Sequence, residues 1–233
     1  MAAMKVSVII TAACLVLAVS GSVVVCLCTF LPYWKVTKVE NQRATPVFIN
    51  EGIWKRCTTL NHDNQTDHVC NEFDLTFLQV PPSLEQARRY SKISVANGFT
   101  FVATAASSLV FGVVCSRNGR CCFKILMVVS LMASSVSAFL SAGSILRAVI
   151  EYDQEIQKSR QTPSPNVPLH MMLLQKRGSC IYYGWIGGGL LICGATMSLI
   201  TAIAGIVVLY RKKNCSFTEV LDDRLQLVTS CET

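Results

Sequence analysis

The sequence predicts a membrane all-α four-helix transmembrane bundle that carries a small extracellular antiparallel β-sheet. Three observations predict it. The first is the charge distribution. The 233 residues are 52% hydrophobic and only 15% charged, where a soluble domain carries about 25% charged residues. Four runs hold no Asp, Glu, Lys or Arg: Val6–Trp34, Ile93–Ser116, Ile125–Leu146 and Gly178–Tyr210. Each is longer than the ~20 residues that cross a bilayer core as a helix. The second is the polar stretch from Trp34 to Cys70. It holds Cys57 and Cys70 among Thr, Asn, Asp, His and Gln, with Asn64-Gln65-Thr66 between them. That tripeptide is an acceptor pattern for N-glycosylation and requires an extracellular surface. Two cysteines in such a segment, facing an oxidising space, are expected to pair, and a loop of this size gives a bridge worth roughly 3 kcal/mol. The third is the placement of basic residues. Lys5, then Arg117, Arg120 and Lys124, then Arg211-Lys212-Lys213 flank the runs on one side, the positive-inside pattern with both termini cytoplasmic.

These observations divide the chain into spans at 6–31, 93–115, 125–147 and 181–210. Segments 32–92 and 148–180 lie outside the cell, and 116–124 and 211–233 lie inside. The first span follows Lys5 and is followed by small residues, as a signal peptide is. A signal core is only ~7–15 residues long, and this run continues to Phe30-Leu31, which favours a retained helix. Leu31-Pro32-Tyr33-Trp34 ends it. Proline stops the helix and the aromatics suit the headgroup zone, so Trp34 alone reads as either an interfacial anchor or part of a built site.

Within segment 32–92, Lys35-Val36-Thr37-Lys38-Val39 alternates apolar and polar residues as a half-buried strand does. Pro46–Ile49, Ile53–Cys57 and Val69–Phe73 are further strand candidates. The polar run between the two cysteines reads as a turn-rich loop. So small a sheet needs the helix ends for support. Pro81-Pro82-Ser83 prepares the second helix with Ser83 as a cap, and Glu85 and Arg89 form an i,i+4 pair.

The second and third spans are rich in Ala and Ser, and the fourth carries Gly187-Gly188-Gly189 and Gly194, small residues that let helices approach closely in lipid. Cys115, Cys121, Cys122 and Cys215 lie beside basic residues at the inner face. They are candidates for S-palmitoylation, with plain reduced thiols as the alternative. The outer segment 148–180 opens helix-like through Glu151, Tyr152, Glu155 and Ile156. It turns at Pro163–Asn166, and Leu169–Leu174 reads as a strand or a contact surface. Arg147 sits at the outer edge, where it can snorkel. Tyr182-Tyr183-Gly184-Trp185 forms an interfacial aromatic belt.

The formal charge of +7 follows from membrane topology and attraction to inner-leaflet lipid, and it gives no argument for nucleic acid. The twelve cysteines form no CxxC pair, and Cys26-x-Cys28 lies in apolar sequence where it packs. His62 and His68 read as loop residues or, together, as an ion site. There is no GxSxG, phosphate loop or HExxH, so no catalytic residue, cofactor or metal is expected and the chain reads as a non-enzyme. The spans lack the buried carboxylates of a pump or coupled transporter.

The frame Leu31-Pro32-Tyr33-Trp34, Gly52-Ile53-Trp54-x-x-Cys57, Cys70 and Gln86-Ala87-Arg88 closely resembles the claudins. Phe73-Asp74 and Tyr183-Gly184-Trp185 strengthen the resemblance, which covers about 210 residues. The set Trp34, Gly52, Ile53, Trp54, Cys57, Cys70 and Arg88 corresponds to the signature of the wider superfamily. That superfamily also holds peripheral myelin proteins and calcium-channel gamma subunits. The chain departs from the claudin pattern in having Ile53 as the middle residue of Gly-Leu-Trp and twelve residues between the cysteines. Its second outer segment is longer than usual and lacks an aromatic–aromatic–proline pattern. The sequence ends in Cys231-Glu232-Thr233 and not in a Tyr-Val type motif, so binding to PDZ scaffolds is not expected.

The resemblance implies a plasma-membrane protein of the tight junction. It would assemble with itself and with other claudins, in cis and in trans, to make a paracellular barrier or selective pore. Eight basic and seven acidic residues between Tyr33 and Lys92 give no overall ion preference. Asn71 and Glu72, just after Cys70, are candidate pore-lining residues, and Glu72 would favour cations. The alternative, from the gamma-subunit branch, is an auxiliary subunit of an ion channel or receptor.

Overall fold

A computed structural model describes residues 2–41, 44–62, 65–72, 82–118, 121–161 and 171–229. Four helices and five strands follow one another: α1 (Ala2–Phe30), β1 (Lys35–Asn41), β2 (Ala44–Glu51), β3 (Lys55–His62), β4 (Gln65–Glu72), α2 (Pro82–Asn118), α3 (Cys121–Gln161), β5 (Met171–Arg177) and α4 (Ser179–Thr229). All four helices contain a stretch long and apolar enough to cross a membrane: Val8–Phe30, Pro82–Val114, Lys124–Lys158 and Ser179–Tyr210.

Each helix packs against two others, α1 on α2 and α4, α3 on α2 and α4. The interior is built from small and medium side chains, among them Ala18, Val25, Phe101, Ala105, Leu131, Ala138, Ile145, Leu191 and Ala195. Outward positions such as Val16, Val23, Leu27, Val136, Leu140 and Ile200 are exposed, as lipid-facing residues are. Buried serines stitch the helices together. Ser94 Oγ donates to the Ser141 carbonyl at 2.8 Å, and Ser141 Oγ donates back to the Ser94 carbonyl at 2.7 Å. Ser22 Oγ donates to the Gly98 carbonyl at 3.1 Å, joining α1 to α2. In lipid, where apolar burial gives no advantage between helices, such bonds and close packing hold a bundle together.

The sheet has the order β4-β3-β2-β1-β5 and is antiparallel throughout. The expected strand at Lys35–Val39 lies in β1 and that at Pro46–Ile49 in β2. Two expectations are corrected. The third strand starts at Lys55 and not at Ile53, because Ile53 and Trp54 occupy a turn closed by Gly52 N–H donating to the Lys55 carbonyl at 2.9 Å. The polar run between the cysteines is mostly strand. Thr58–His62 and Gln65–Val69 pair residue for residue, Thr58 with Val69 and Thr59 with His68. β-branched threonines suit a pleated edge even when their neighbours are polar.

The ambiguous stretch at Leu169–Leu174 falls partly in β5, which pairs along the whole of β1 from Lys35↔Arg177 to Asn41↔Met171. The helix-like start of the second outer segment continues α3 to Gln161. Ser83 lies inside α2 after Pro82, the favoured place for a helix-opening proline. Its hydroxyl reaches across to Glu155 on α3 at 2.6 Å and not back along its own helix as a cap would. The Glu85–Arg89 pair forms at 2.6 Å. Asn64, Phe73-Asp74, Arg120, the turn at Pro163–Asn166 and the chain end at Thr233 lie outside the described residues. So do the side chains of Cys115, Cys121, Cys122 and Cys215.

Candidate assembly site

A polar sheet perched on the end of a helix bundle needs fixed attachments, because strands without a hydrophobic face or a helix to pack against are not stable on their own. Three elements supply them here. The first is Trp34, in the short link between α1 and β1. It is fully buried within the protein and not exposed at an interface. Its indole N–H donates to the Cys28 carbonyl at the end of α1, one of the acceptors a helix leaves unpaired. Its ring meets Tyr152 of α3 with centroids 5.1 Å apart and planes tilted by 56°, a favourable aromatic geometry. Its backbone N–H donates to the Glu51 carbonyl at 3.1 Å, and its carbonyl accepts from Gly178 N–H at 2.8 Å. One residue thus binds the end of β2, the end of β5 and two helices.

The second attachment is the turn Gly52-Ile53-Trp54. A Cβ on Gly52 would lie 2.7 Å from Pro32 Cα and 2.9 Å from the Leu31 carbonyl oxygen, so only glycine fits against the end of α1. Ile53 is fully buried, and its carbonyl accepts from Arg88 Nε at 2.8 Å. The Arg88 guanidinium lies 5.5 Å from the Trp54 ring centroid and Lys92 Nζ lies 4.9 Å from it, within the range of cation–π attraction. Both cations come from the first turns of α2, so α2 clamps the turn from the side.

The third is the joint between β5 and α4. A Cβ on Gly178 would land on the Tyr33 carbonyl. Cys180 N–H donates to that same carbonyl at 2.9 Å. Arg177 forms a two-pronged pair with Asp153 of α3 at 2.6 and 2.7 Å, and hydrogen bonding to that carboxylate raises the Arg177 pKa above its ordinary value. Glu51, at the end of β2, joins Lys35 at 3.1 Å and also pairs with Arg56.

On this footing the sheet presents two edges. Cys57 and Cys70 face each other across β3 and β4 and are joined by a disulfide. The bond fixes β4 to the sheet at one point along its length. Beyond it, every residue of β4 from Asp67 to Glu72 is exposed, including Val69 at 51%. Asn71 and Glu72 are therefore exposed on the outermost strand, opposite Arg56 and Lys55. At the other border β5 carries exposed Lys176 and Arg177. A strand edge with open N–H and C=O groups recruits another strand unless something covers it. His68 Nδ1 lies 3.0 Å from Thr59 Oγ1. Among the described residues no group of three or more side chains is placed to hold a metal ion.

The structure brings Trp34, Gly52, Ile53, Trp54 and Arg88 into one contact region, with Cys57–Cys70 further out along the sheet. Sequence reasoning missed Tyr152, Glu51 and Gly178. In the sequence Tyr152 reads only as part of a helical start. The legible signal for Gly178 was a lone glycine between a strand-like run and a charge-free run.

No protein-family profile matches the chain. Its similar proteins include claudin-4 from Chlorocebus aethiops and claudin-4 from Homo sapiens, each 28% identical over 182 residues, which are 76% of this chain and 79% of theirs. With four membrane-length helices and a five-stranded sheet pinned by one disulfide, this likeness supports a distant claudin-like relationship.

Proposed function

We propose that this chain is a claudin-like junction protein of the plasma membrane, with both termini cytoplasmic and the sheet on the outer face. It assembles side by side with its own copies and with other claudins, and it meets partners across the intercellular gap. The product is a paracellular barrier or selective pore. The observation that carries the reading is the sheet itself. It is moored to the helices through Trp34, Gly52 and Arg88 and pinned at Cys57–Cys70, and among the described residues no further strand pairs with β4 or β5. A rigid open edge favours self-assembly. Asn71 and Glu72 on the exposed edge then border the gap, where a carboxylate favours cations. Asn64 accepts a glycan on this outer side. Cys115, Cys121, Cys122 and Cys215 take acyl chains on the inner side, where membrane lipid is a partner.

The test is expression in cells that lack junction strands. The reading expects continuous fibrils by freeze-fracture at cell contacts and a change in transepithelial resistance. Surface-delivered protein with no fibrils and unchanged resistance contradicts it. Co-purification of a pore-forming channel, with no association between copies on adjoining cells, replaces it with the auxiliary-subunit reading.

A further inference from the structure

The outer end of α2 sets one carboxylate among three cations. Glu85, Arg88, Arg89 and Lys92 recur at steps of three, one and three residues and so share one side of the helix. Arg88 is turned inward onto the Ile53 carbonyl. Arg89 pairs with Glu85 at 2.6 Å, and both are exposed, so water screens that pair. Lys92 is exposed, and its ammonium lies 4.9 Å from the Trp54 ring centroid with no carboxylate facing it among the described residues. Trp54 adds a second sign. Its Nε1 is shielded from water and finds no acceptor among the described residues, and a buried N–H without an acceptor is costly. Lys92 is also the last charged residue before the run from Ile93 to Ser116, which puts the patch at the depth of the outer-leaflet headgroups. Inward of it Ala96, Phe99 and Ala103 are exposed. At about 100° per residue they fall within about 40° of Lys92 around the helix axis. From Lys92 to Ala103 the row is about 16 Å long, close to one leaflet of a hydrocarbon core that is ~30 Å thick.

The structure assigns to this place a binding site for one phospholipid of the outer leaflet. The headgroup phosphate meets Lys92 and Arg89, with the Trp54 N–H as a further donor at its rim. One acyl chain lies along the track of Ala96, Phe99 and Ala103, where two short side chains leave room beside the helix. Phosphate is the complement because it is the anionic group that every phospholipid holds at this depth, and ammonium and guanidinium groups bind it through charge-assisted hydrogen bonds. Basic side chains that merely snorkel to water would leave the indole N–H without an acceptor. Trp54 stands in the turn that enters β3 and Lys92 on α2, so a lipid held by both fixes the sheet to the bundle at the bilayer surface. This inference rests on α2 crossing the membrane with the sheet outside. It does not rest on assembly between copies.

The test is native mass spectrometry of the full-length chain in detergent, with dioleoylphosphatidylcholine, dioleoylglycerol or inorganic phosphate added in turn. One phosphatidylcholine per chain is expected to stay bound. Dioleoylglycerol, which has the chains without the phosphate, and inorganic phosphate, which lacks the chains, are each expected to bind far less. Lys92→Gln is expected to lower phosphatidylcholine retention about fivefold, the worth of one basic residue at a lipid surface, and Lys92→Arg to keep it. Ala96→Trp, which fills the track and leaves every charge in place, is expected to lower it too. Lys176→Gln, at an exposed position on β5, is expected to leave it unchanged. If Lys92→Gln does not yield a folded chain, Glu85→Gln, which removes the competing carboxylate, is expected to raise retention. No retained phosphatidylcholine, equal retention of dioleoylglycerol, equal binding of inorganic phosphate, or a yield insensitive to the α2 changes overturns the inference. Because the chain is studied in detergent, the absence of junction strands in cells leaves this result unaffected.

Discussion

Arg88, only 6% exposed, donates through Nε to the carbonyl of Ile53 at 2.8 Å, thirty-five residues away in the chain. The bond joins the first turns of α2 to the turn that enters β3. It makes the position of the sheet dependent on the rotation of α2 about its axis. A guanidinium suits this site because one nitrogen serves the carbonyl while its carbon lies 5.5 Å from the Trp54 ring centroid.

Replacing Arg88 by Leu is expected to cost about 1.5–3 kcal/mol, the range for a hydrogen bond to a charged group. Arg88→Lys is expected to recover only part of it, since an ammonium cannot keep both contacts. Thermal unfolding in detergent followed by size-exclusion chromatography measures this. A lysine variant as stable as the parent would remove Arg88 from the mooring.

Glycine is required at two positions and dispensable at two others. Gly52→Ala and Gly178→Ala press a methyl into Pro32 and Tyr33 backbone, and each is expected to cost about 1–3 kcal/mol or more. At Gly143 and Gly189 a Cβ meets nothing within 4 Å, so alanine there is expected to leave surface delivery unchanged. Comparable losses at all four sites would contradict the close approach of α1 to the sheet.

The reciprocal Ser94–Ser141 bonds bear on the bundle. Each serine to alanine is expected to lose about 0.6–1.7 kcal/mol. The double variant should lose less than the sum, because the two hydroxyls also lie 3.2 Å apart and share that contact. Additive losses by a double-mutant cycle would show that the pair is not coupled.

Charge on the edge strand is expected to govern ion preference. Glu72→Lys should shift dilution potentials toward chloride at unchanged surface level. An unchanged potential would place Glu72 away from the conducting gap.

The helices were legible because lipid imposes one crude rule, the exclusion of charge, and the four charge-free runs obey it. Strands β1 and β2 were legible from Val36, Val39 and Val47–Ile49. The outer parts of β3 and β4 were not, because Asn61, His62, Thr66 and Asp67 are turn-like residues by composition. Their pairing depends on alignment with β2 and on the Cys57–Cys70 crosslink, both nonlocal. The partners of Trp34 were hidden for a related reason. Tyr152 reaches it only because α3 continues beyond the charge-free run that ends at Leu146, and Gly178 only because β5 crosses to β1. Ile53 and Trp54 were identified as a signature, but local pattern alone could not separate a turn from a strand there.

The central claim is that a disulfide-pinned sheet stands on the outer face, moored to four membrane helices. Thiol labelling of intact cells with a membrane-impermeant maleimide, before and after an impermeant reductant, tests it most directly. The account predicts new labelling at Cys57 and Cys70 only after reduction, absent from the Cys57→Ser, Cys70→Ser double variant. Labelling of these residues without reductant, or only after the membrane is permeabilised, would contradict it.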